Sequence, residues 1–559
     1  MSQERLAEVI GQNTGLPGIV CRILASRNVS PDGAMSYLSP SLRELMPDPS
    51  GMRDMDLAAE RFWAAVKGRE RIAVFADYDV DGGSSAALLL CWLRATDLNA
   101  TLYVPDRIDE GYGPNVPAMR KLGSEHDLIV CVDCGVLSHE PIAAAGCDVI
   151  VLDHHLPGET LPEAHAVVNP NRHDEVLDLG YLCAAGVVFM MLVAVNRLMR
   201  QEGVSGPKLM GLLDLVALAT VADVAPLVGL NRALVKQGLA IMAQSQRPGL
   251  QALARVGKST SAPDTYSLGF IIGPRINAGG RIGAADLGAR LLSTAEPHEA
   301  DALAERLNTL NLERRRIEAE VLEQAKAQVR QRGADGPLVW ASGEGWHPGV
   351  VGIVASRLKD AFGKPSIVIG LDGDDGKGSG RSVTGVDLGA AIGTLVSEGL
   401  LQKGGGHKMA VGLSIHRDGI EPAMQRLSDL MSEAGADRPG QKVLDVAGLV
   451  TLQGATVELA EGIKSAGPYG AGSPAPIVTL SDVSVIRSRI VGENHLAVTF
   501  GDIQGGRLDG IAFRALESEM GQMLAQKSQN RFHVAGRLER DDWGGRSKAK
   551  FYIEDAALS

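Results

Sequence analysis

Short apolar runs recur through the first part of the chain, at Ile72–Ala76, Ala100–Val104, Leu128–Val132, Val149–Leu152 and Ala166–Val168. None contains a charge, which is the pattern of strands buried on both faces of a parallel sheet. Stretches of helical character separate them, at Ala86–Ala95, Pro117–Leu122 and Pro141–Ala145, and two more follow, Ala184–Arg200 and Lys208–Thr220. This alternation predicts a parallel α/β domain over residues 55–243, behind an N-terminal helical cap, residues 1–54, broken at Pro17, Pro31 and Pro40. In a connector, residues 244–336, Leu303, Leu307, Leu310, Ile317, Val321 and Ala325 recur at helical spacing, so Pro297–Arg332 reads as one long helix. Residues 337–436 return to a mixed pattern, with a helix at Val350–Leu358 and a strand at Pro365–Ile369, and predict a second α/β domain. Over residues 437–559 the runs Val443–Val450, Ile477–Leu480, Val483–Ile490, Leu496–Phe500, Leu508–Phe513, Asn530–Leu538 and Lys548–Ile553 read as strands of a small β-barrel.

Composition sharpens this picture in a few places. A hydrophobic content of 45% over 559 residues supports several packed cores. The longest apolar run, Ala184–Val195, is too short to span a bilayer and reads as a buried helix, so no membrane partner is expected. Six scattered cysteines in apolar contexts, and an N-terminus with acidic residues and no signal-peptide core, point to a reducing, cytoplasmic setting. Cys131 and Cys134 form a lone C-x-x-C, which is too little for a structural zinc site. The net charge of −12 means that any nucleic-acid contact must come from local clusters of Lys and Arg. With 4% aromatic residues, no extended base-stacking surface is obvious.

The chemistry gathers where the apolar runs stop. Ile72–Ala76 runs into Asp77, Asp79 and Asp81, followed by Gly82 and Gly83. Read as continued extended chain, these carboxylates face one side with neighbours about 7 Å apart, and Ser84-Ser85 suit the cap of a helix opening at Ala86. Two unpaired carboxylates at about 4 Å repel by roughly 4 kcal/mol at an effective dielectric of 20, so such a group calls for protons or cations. An EF-hand is disfavoured because Leu88, not Glu, occupies the twelfth loop position. Leu128–Val132 ends in Asp133, and Val149–Leu152 ends in Asp153-His154-His155. In a parallel sheet these termini share one edge, so a metal centre is expected there. Asp214 and Asp223 are isolated acids on apolar segments, and Asp223 lies where Pro226 ends a helix and can reach the site. Carboxylates with imidazole suit Mn²⁺ or Mg²⁺, and the spacing fits two divalent cations better than one.

The ordered set Asp77-Tyr-Asp-Val-Asp-Gly, Val132-Asp-Cys-Gly, Asp153-His-His and Ala219-Thr-Val-Ala-Asp-Val-Ala-Pro resembles the motifs of the DHH phosphoesterase superfamily. Within it, nearly the whole chain resembles the RecJ family of bacterial single-strand-specific 5′→3′ DNA exonucleases. Val80 and Gly279 stand where Ala is commoner in that family. The resemblance implies a DHH catalytic domain, a DHH-associated domain and a barrel of OB type, with release of mononucleotides in DNA repair and recombination. It implies that Asp77 and Asp79 hold one cation, that Asp81, His154 and Asp223 hold the other, and that Asp133 bridges. Asp79 and Asp133 are then catalytic together with His155, on the scissile phosphate, and Asp153, behind the histidines.

Exonuclease polarity requires a terminal-phosphate pocket. Arg107, Ser379 and Arg381 are expected to grip the 5′ phosphate, with Gly404, Gly405, Gly406 and His407 on the adjacent nucleotide. Lys377–Ser382 reads as a glycine-rich cationic loop able to cradle phosphate through backbone N–H groups. Arg275, Asn277 and Arg281 flank a Gly-rich turn that the resemblance puts near the nucleic-acid path. Arg314-Arg315-Arg316 reads as a solvated face or a phosphate rail, and Phe513, Arg514, Trp543, Arg546, Lys548, Lys550 and Tyr552 as single-strand contacts of the barrel. The expected partners are single-stranded DNA, a helicase and a single-strand-binding protein, with the chain a monomer. Two rivals stand beside this reading. One is a DHH phosphodiesterase for short oligonucleotides or cyclic dinucleotides, whose members usually lack the barrel tail. The other is an inactive scaffold, which the intact acids argue against.

Overall fold

The computed structural model describes residues 2–107, 109–259, 261–436, 443–516, 518–526, 530–542 and 545–559. The apolar runs form β1 (Ile72–Ala76), β2 (Thr101–Tyr103), β3 (Leu128–Val132), β4 (Asp148–Leu152) and β5 (Ala166–Val168), in the order β2-β1-β3-β4-β5 with every neighbour parallel. All five residues of β1 and β3 are buried, because helices cover both faces of the sheet. Helix Ala184–Gln201 is long and apolar enough to cross a membrane by composition, yet 67% of it is buried inside the molecule, as a core helix. The expected helix at Lys208 begins later, as a short 3₁₀ turn, Met210–Leu212, running into Leu213–Ala222.

Helix Pro297–Arg332 is a single element of 36 residues, about 54 Å long at 1.5 Å per residue. Its first half buries Ala300, Leu303, Leu307 and Leu310 in the core of the first α/β unit, and its second half buries Val321, Ala325 and Val329 against the second. That second unit contains β6 (Val339–Glu344), β7 (Ser366–Asp372), β8 (Asp375–Arg381), β9 (Lys403–His407) and β10 (Ala410–His416), ordered β6-β7-β8-β10-β9. The boundary expected at 436/437 adjoins residues 437–442, which are outside the described residues.

The C-terminal strands are β11 (Val446–Val450), β12 (Ile477–Val491), β13 (His495–Gly501), β14 (Arg507–Ala512), β15 (Arg531–Asp541) and β16 (Lys548–Leu558). β12, β13, β14, β16 and β15 close on themselves through a β12–β15 pairing, giving a five-stranded OB-like barrel with β11 added in parallel. The two strands expected over Ile477–Ile490 are one continuous strand with register shifts, because one long, bulged strand can pair with β15 at one end and β13 at the other. Helices Val457–Ser465 and Glu519–Ala525 interrupt the all-β pattern. The N-terminal segment packs two ways: Ile10, Val20, Ile23 and Leu24 share one core with Leu480, Phe500, Phe532 and Phe551, while Leu42, Met46 and Met52 pack on the core of the first α/β unit.

Candidate metal centre and substrate cleft

Asp77 leaves the end of β1, buried, and Asp79 caps a helix that opens at once, Val80–Arg94. Asp79 Oδ1 accepts from the backbone N–H groups of Asp81 (2.8 Å) and Gly82 (3.1 Å). The expected extended run of alternating carboxylates is therefore wrong beyond Asp79, as is the cap at Ser84-Ser85; both serines lie buried inside the helix. Gly82 makes the tight strand-to-helix turn possible, since a Cβ there would stand 2.7 Å from the carbonyl carbon of Asp77. Asp81, in the first turn, is clamped by a second helix N-terminus: its carboxylate accepts from Ala184 N (2.7 Å) and Ala185 N (2.8 Å).

The other strand ends close the ring. Asp133 follows β3 in left-handed backbone, φ 60°. His154 and His155 follow β4, and Asp153 behind them accepts from the N–H groups of His154 (2.7 Å) and His155 (3.1 Å), from Val136 N (3.0 Å) and from His155 Nδ1 (2.7 Å). Asp223 terminates helix Leu213–Ala222. His154 Nε2 lies 3.3 Å from Asp133, 3.7 Å from Asp81 and 3.9 Å from Asp223. Three groups thus have ligand atoms all within 4.8 Å of one another, Asp77–Asp79–Asp133, Asp81–His154–Asp223 and Asp133–His154–His155, with Asp133 and His154 each in two. Asp214 is elsewhere, buried and paired with Arg247 at 3.0 Å.

The electrostatics fit cations. Burial and the neighbouring carboxylates hold Asp77 and Asp133 well above the usual carboxylate range, and burial with Asp81 and Asp79 pushes Asp223 up to about 8. Asp77 Oδ1 and Asp133 Oδ1 are buried and neither makes a hydrogen bond, although Asp133 Oδ1 lies 3.3 Å from His154 Nε2. A divalent ion suits those atoms and offsets the mutual repulsion. Burial works against the charged form of His155, but the hydrogen bond and charge of Asp153 outweigh it and raise its pKa to about 9.

Several supporting residues carry no sequence signature. Asn169 and Asn171, just past β5, donate to the carbonyls of His155 (2.8 Å) and His154 (2.6 Å) and pin the dipeptide. Tyr112 donates to the Asp133 carbonyl at 2.8 Å, and its hydroxyl is 3.3 Å from the His155 ring nitrogens. A neutral polar side chain in a loop offers no such clue by composition.

Facing this rim is a cleft of about 290 Å³ lined by Arg107, Pro348, Gly349, Lys377, Ser379 and Lys403 among others. The structure brings Arg107 from the first α/β unit to Ser379 from the second, and Arg381 sits beside Ser379 over Gly352. The segment expected to be a phosphate-cradling loop is instead strand β8, with its backbone paired to β7 and β10, so side chains rather than N–H groups face the cleft. Gly376, Gly378 and Gly380 alternate onto the core face because apolar side chains fill it; a Cβ on Gly378 would lie 2.9 Å from Leu413. Gly404–Gly406 lie in edge strand β9, which ends in exposed His407 just before β10. Gly404 lines the cleft, though a Cβ on it would meet Ile392, and Gly405 pairs with Gly412, which pairs with Ser379.

The expected turn at Gly273–Gly283 is helix Gly273–Ile282, entered through a π-helical segment, Ser267–Ile272. Asn277 Oδ1 accepts from Val80 N (3.1 Å) and so braces the carboxylate loop; it is not free for substrate through that atom. Arg275 donates to Asn308 and Ile271, and Arg281 to the Gly349 carbonyl. Burial, Arg107 and Arg314 bring Arg281 down to about 10. His347, which sequence reasoning missed, caps helix Pro348–Phe362 and lines a second recess of about 170 Å³ with Arg107 and Arg281. On the long helix Arg314 is buried against Glu318 and Asn311 and Arg316 pairs with Glu320, so neither forms a rail. In the barrel Phe513 stacks on Tyr552 at 6.0 Å and Lys550 pairs with Asp541; Trp543 is outside the described residues.

An acid-and-imidazole ring on the strand-end rim of a parallel sheet, faced by a second α/β unit across a cationic cleft, is the architecture of a DHH phosphoesterase. The chain matches the DHH family N-terminal domain over residues 71–220, the DHHA1 domain over 335–433 and the RecJ OB domain over 446–555. It is 37% identical to the single-stranded-DNA-specific exonuclease RecJ of Dickeya dadantii over 96% of each chain, and 37% identical to that of Escherichia coli over 89% of each. The crystal structure of Thermus thermophilus RecJ in complex with Mn²⁺ superposes with a TM-score of 0.82 at 28% identity, covering 99% of this chain and 78% of that one. The same protein in complex with Mg²⁺ gives 0.75 at 27% identity over 99% of this chain and 76% of that one. The chain belongs to the RecJ family.

Proposed function

We propose that this protein is a metal-dependent, single-strand-specific DNA exonuclease acting in repair and recombination, which degrades from the 5′ end and releases mononucleotides. The observation that carries the reading is the set of three ligand groups sharing Asp133 and His154. Asp77, Asp79 and Asp133 would hold one divalent ion, Mn²⁺ or Mg²⁺, and Asp81, His154 and Asp223 the other, with Asp133 common to both. Bound there, such ions supply an ionised water and neutralise charge on the phosphate.

The chain's own groups do the rest. Asp153 fixes the His155 ring through Nδ1 and favours its protonated form, so that His155 presents positive charge to a phosphate at the rim. Tyr112 braces the Asp133 backbone from the other side. Arg107, Ser379 and Arg381, with Lys377, would bind a terminal 5′ phosphate; Arg107, Lys377 and Ser379 line one cleft, and Arg381 lies next to Ser379 over Gly352. Since cleft and rim come from one chain, a monomer suffices; we place it in the cytoplasm, on strands opened by a helicase and held by a single-strand-binding protein.

The test uses single- and double-stranded oligonucleotides labelled at either end, with and without Mn²⁺. Mn²⁺-dependent loss of the 5′ label from single strands alone is expected. Release of the 3′ label first would overturn the polarity, and cleavage without any divalent ion would overturn the site. Arg381→Ala should abolish discrimination between 5′-phosphorylated and 5′-hydroxyl strands.

A further inference from the structure

Between the carboxylate rim and the barrel lies a short segment that neither site uses. It starts at Asp264, whose carboxylate accepts from Ser267 N at 2.8 Å, and continues through the π-helical segment Ser267–Ile272. Leu268 and Ile272 are buried and anchor it. Tyr266 and Phe270 are 63% and 70% exposed, yet their rings stack at 5.0 Å and 28°. Residues four apart share one face of a helical turn, and π-helical turns are rare and are found frequently at functional sites. An exposed pair of parallel rings forgoes the burial that usually stabilises large aromatics, and in this aromatic-poor chain nothing in the core requires it.

Its neighbours say what covers it. On one side Gly269 abuts Val221, two residues before Asp223 of the rim, and Val224 beyond is 70% exposed. On the other side Thr265 donates to the Tyr469 carbonyl at 2.8 Å, and Asp264 is close enough to Glu539 of β15 to influence its charge. Glu539 shares the outer barrel face with Arg537 and, across the β15–β16 pairing, with Tyr552, on which Phe513 stacks. A turn further along the same helical run is Arg275, with exposed Arg315 beside it. Exposed aromatics therefore occur at the rim (Tyr112, 52%), on this segment and on the barrel (Phe513, 56%), with arginines interleaved.

We propose that Tyr266 and Phe270 form a base-stacking step for single-stranded DNA, holding the strand between the cleavage site and the barrel. This rests on the exonuclease reading above and adds a subsite to it. Rings accept any base, so the step contributes affinity without sequence preference.

The test compares wild type with the Tyr266→Ala/Phe270→Ala double variant on a 5′-phosphorylated dinucleotide, which ends before the step, and on a 20-nucleotide strand, both with Mn²⁺. The KM for the long strand should rise about tenfold or more, with kcat and dinucleotide hydrolysis unchanged. The Tyr266→Trp/Phe270→Trp variant should restore it. Independently of any variant, wild type should lose about the same affinity on a strand whose inner nucleotides are abasic. An unchanged KM for the long strand, or indifference of wild type to abasic nucleotides, overturns the proposal, and would leave the pair as a protein-docking surface. A wild type inactive on both substrates would instead sink the exonuclease reading.

Discussion

At the scale of single residues, the rim is a set of acids whose mutual repulsion the protein tolerates for the sake of cations. Asp133→Asn removes the carboxylate common to two ligand groups. Without metal this variant should be more stable than wild type by about 1 kcal/mol, because like-charge repulsion is relieved. Mn²⁺ should raise the thermal midpoint of wild type through preferential binding to the folded state and raise the variant's less, since Asp81, His154 and Asp223 remain, with hydrolysis reduced about a thousandfold or more. Melting curves with and without Mn²⁺ check the sign of both effects. Asp153→Asn should keep the Mn²⁺-induced stabilisation and lose about 10- to 100-fold in kcat, since Asp153 orients His155 and is not in any ligand group. The acids and histidines were legible in the sequence because each ends an apolar run, and parallel strands deliver their ends to one rim. Tyr112, Asn169 and Asn171 were not, because a neutral polar residue in a loop looks the same whether it braces a ligand or faces water.

At the scale of elements, apolar period and length decided what could be read. β1, β3 and β5 and the helix Pro297–Arg332 fall on the runs that suggested them. One glycine-rich segment was misread. Lys377–Arg381 has the composition of a loop, but tertiary packing makes it a strand: Gly378 and Gly380 lack side chains because Ile367, Ile369, Leu413 and Val411 occupy the space. The carboxylate loop was misread for a related reason, since Gly82 permits a helix to begin directly on the strand end. Two substitutions follow from that contact geometry. Gly82→Ala would force a methyl group into the Asp77 backbone and should cost about 1–3 kcal/mol of stability together with most of the activity. Gly280→Ala would place Cβ 2.9 Å from Tyr78 Cβ and O, displacing the residue between Asp77 and Asp79 from the far side. It should lower kcat for dinucleotide and long strand alike with little change in long-strand KM, which steady-state kinetics on both substrates would separate from a binding defect.

At the scale of the whole molecule, the two ends of the chain act as one body attached to the catalytic unit, and the attachment centres on a buried cation. Arg232, on helix Gly229–Met242, is 2% exposed and donates to the carbonyls of Tyr37, Ala466, Gly467 and Pro468, with the Tyr37 ring 3.9 Å from its guanidinium. One side chain thus ties the N-terminal helices and the approach to the barrel to the catalytic core. A buried guanidinium is costly unless every N–H is directed at an acceptor, and carbonyl oxygens from two distant segments meet that need only when those segments are docked. Arg232→Met fills a similar volume but leaves these carbonyls without their donor. Hydrogen bonds to charged groups are worth about 1.5–3 kcal/mol each and are not additive, so a loss of about 2–4 kcal/mol at this junction is expected. The effect should fall on docking rather than on chemistry, because the rim residues lie on other elements. Unfolding should split into two transitions, the lower one from the barrel with its N-terminal helices; the rate on a 5′-phosphorylated dinucleotide should stay within about twofold of wild type while digestion of long strands becomes distributive. A single unshifted transition with unchanged long-strand digestion would mean that the shared barrel core, not Arg232, holds the assembly together.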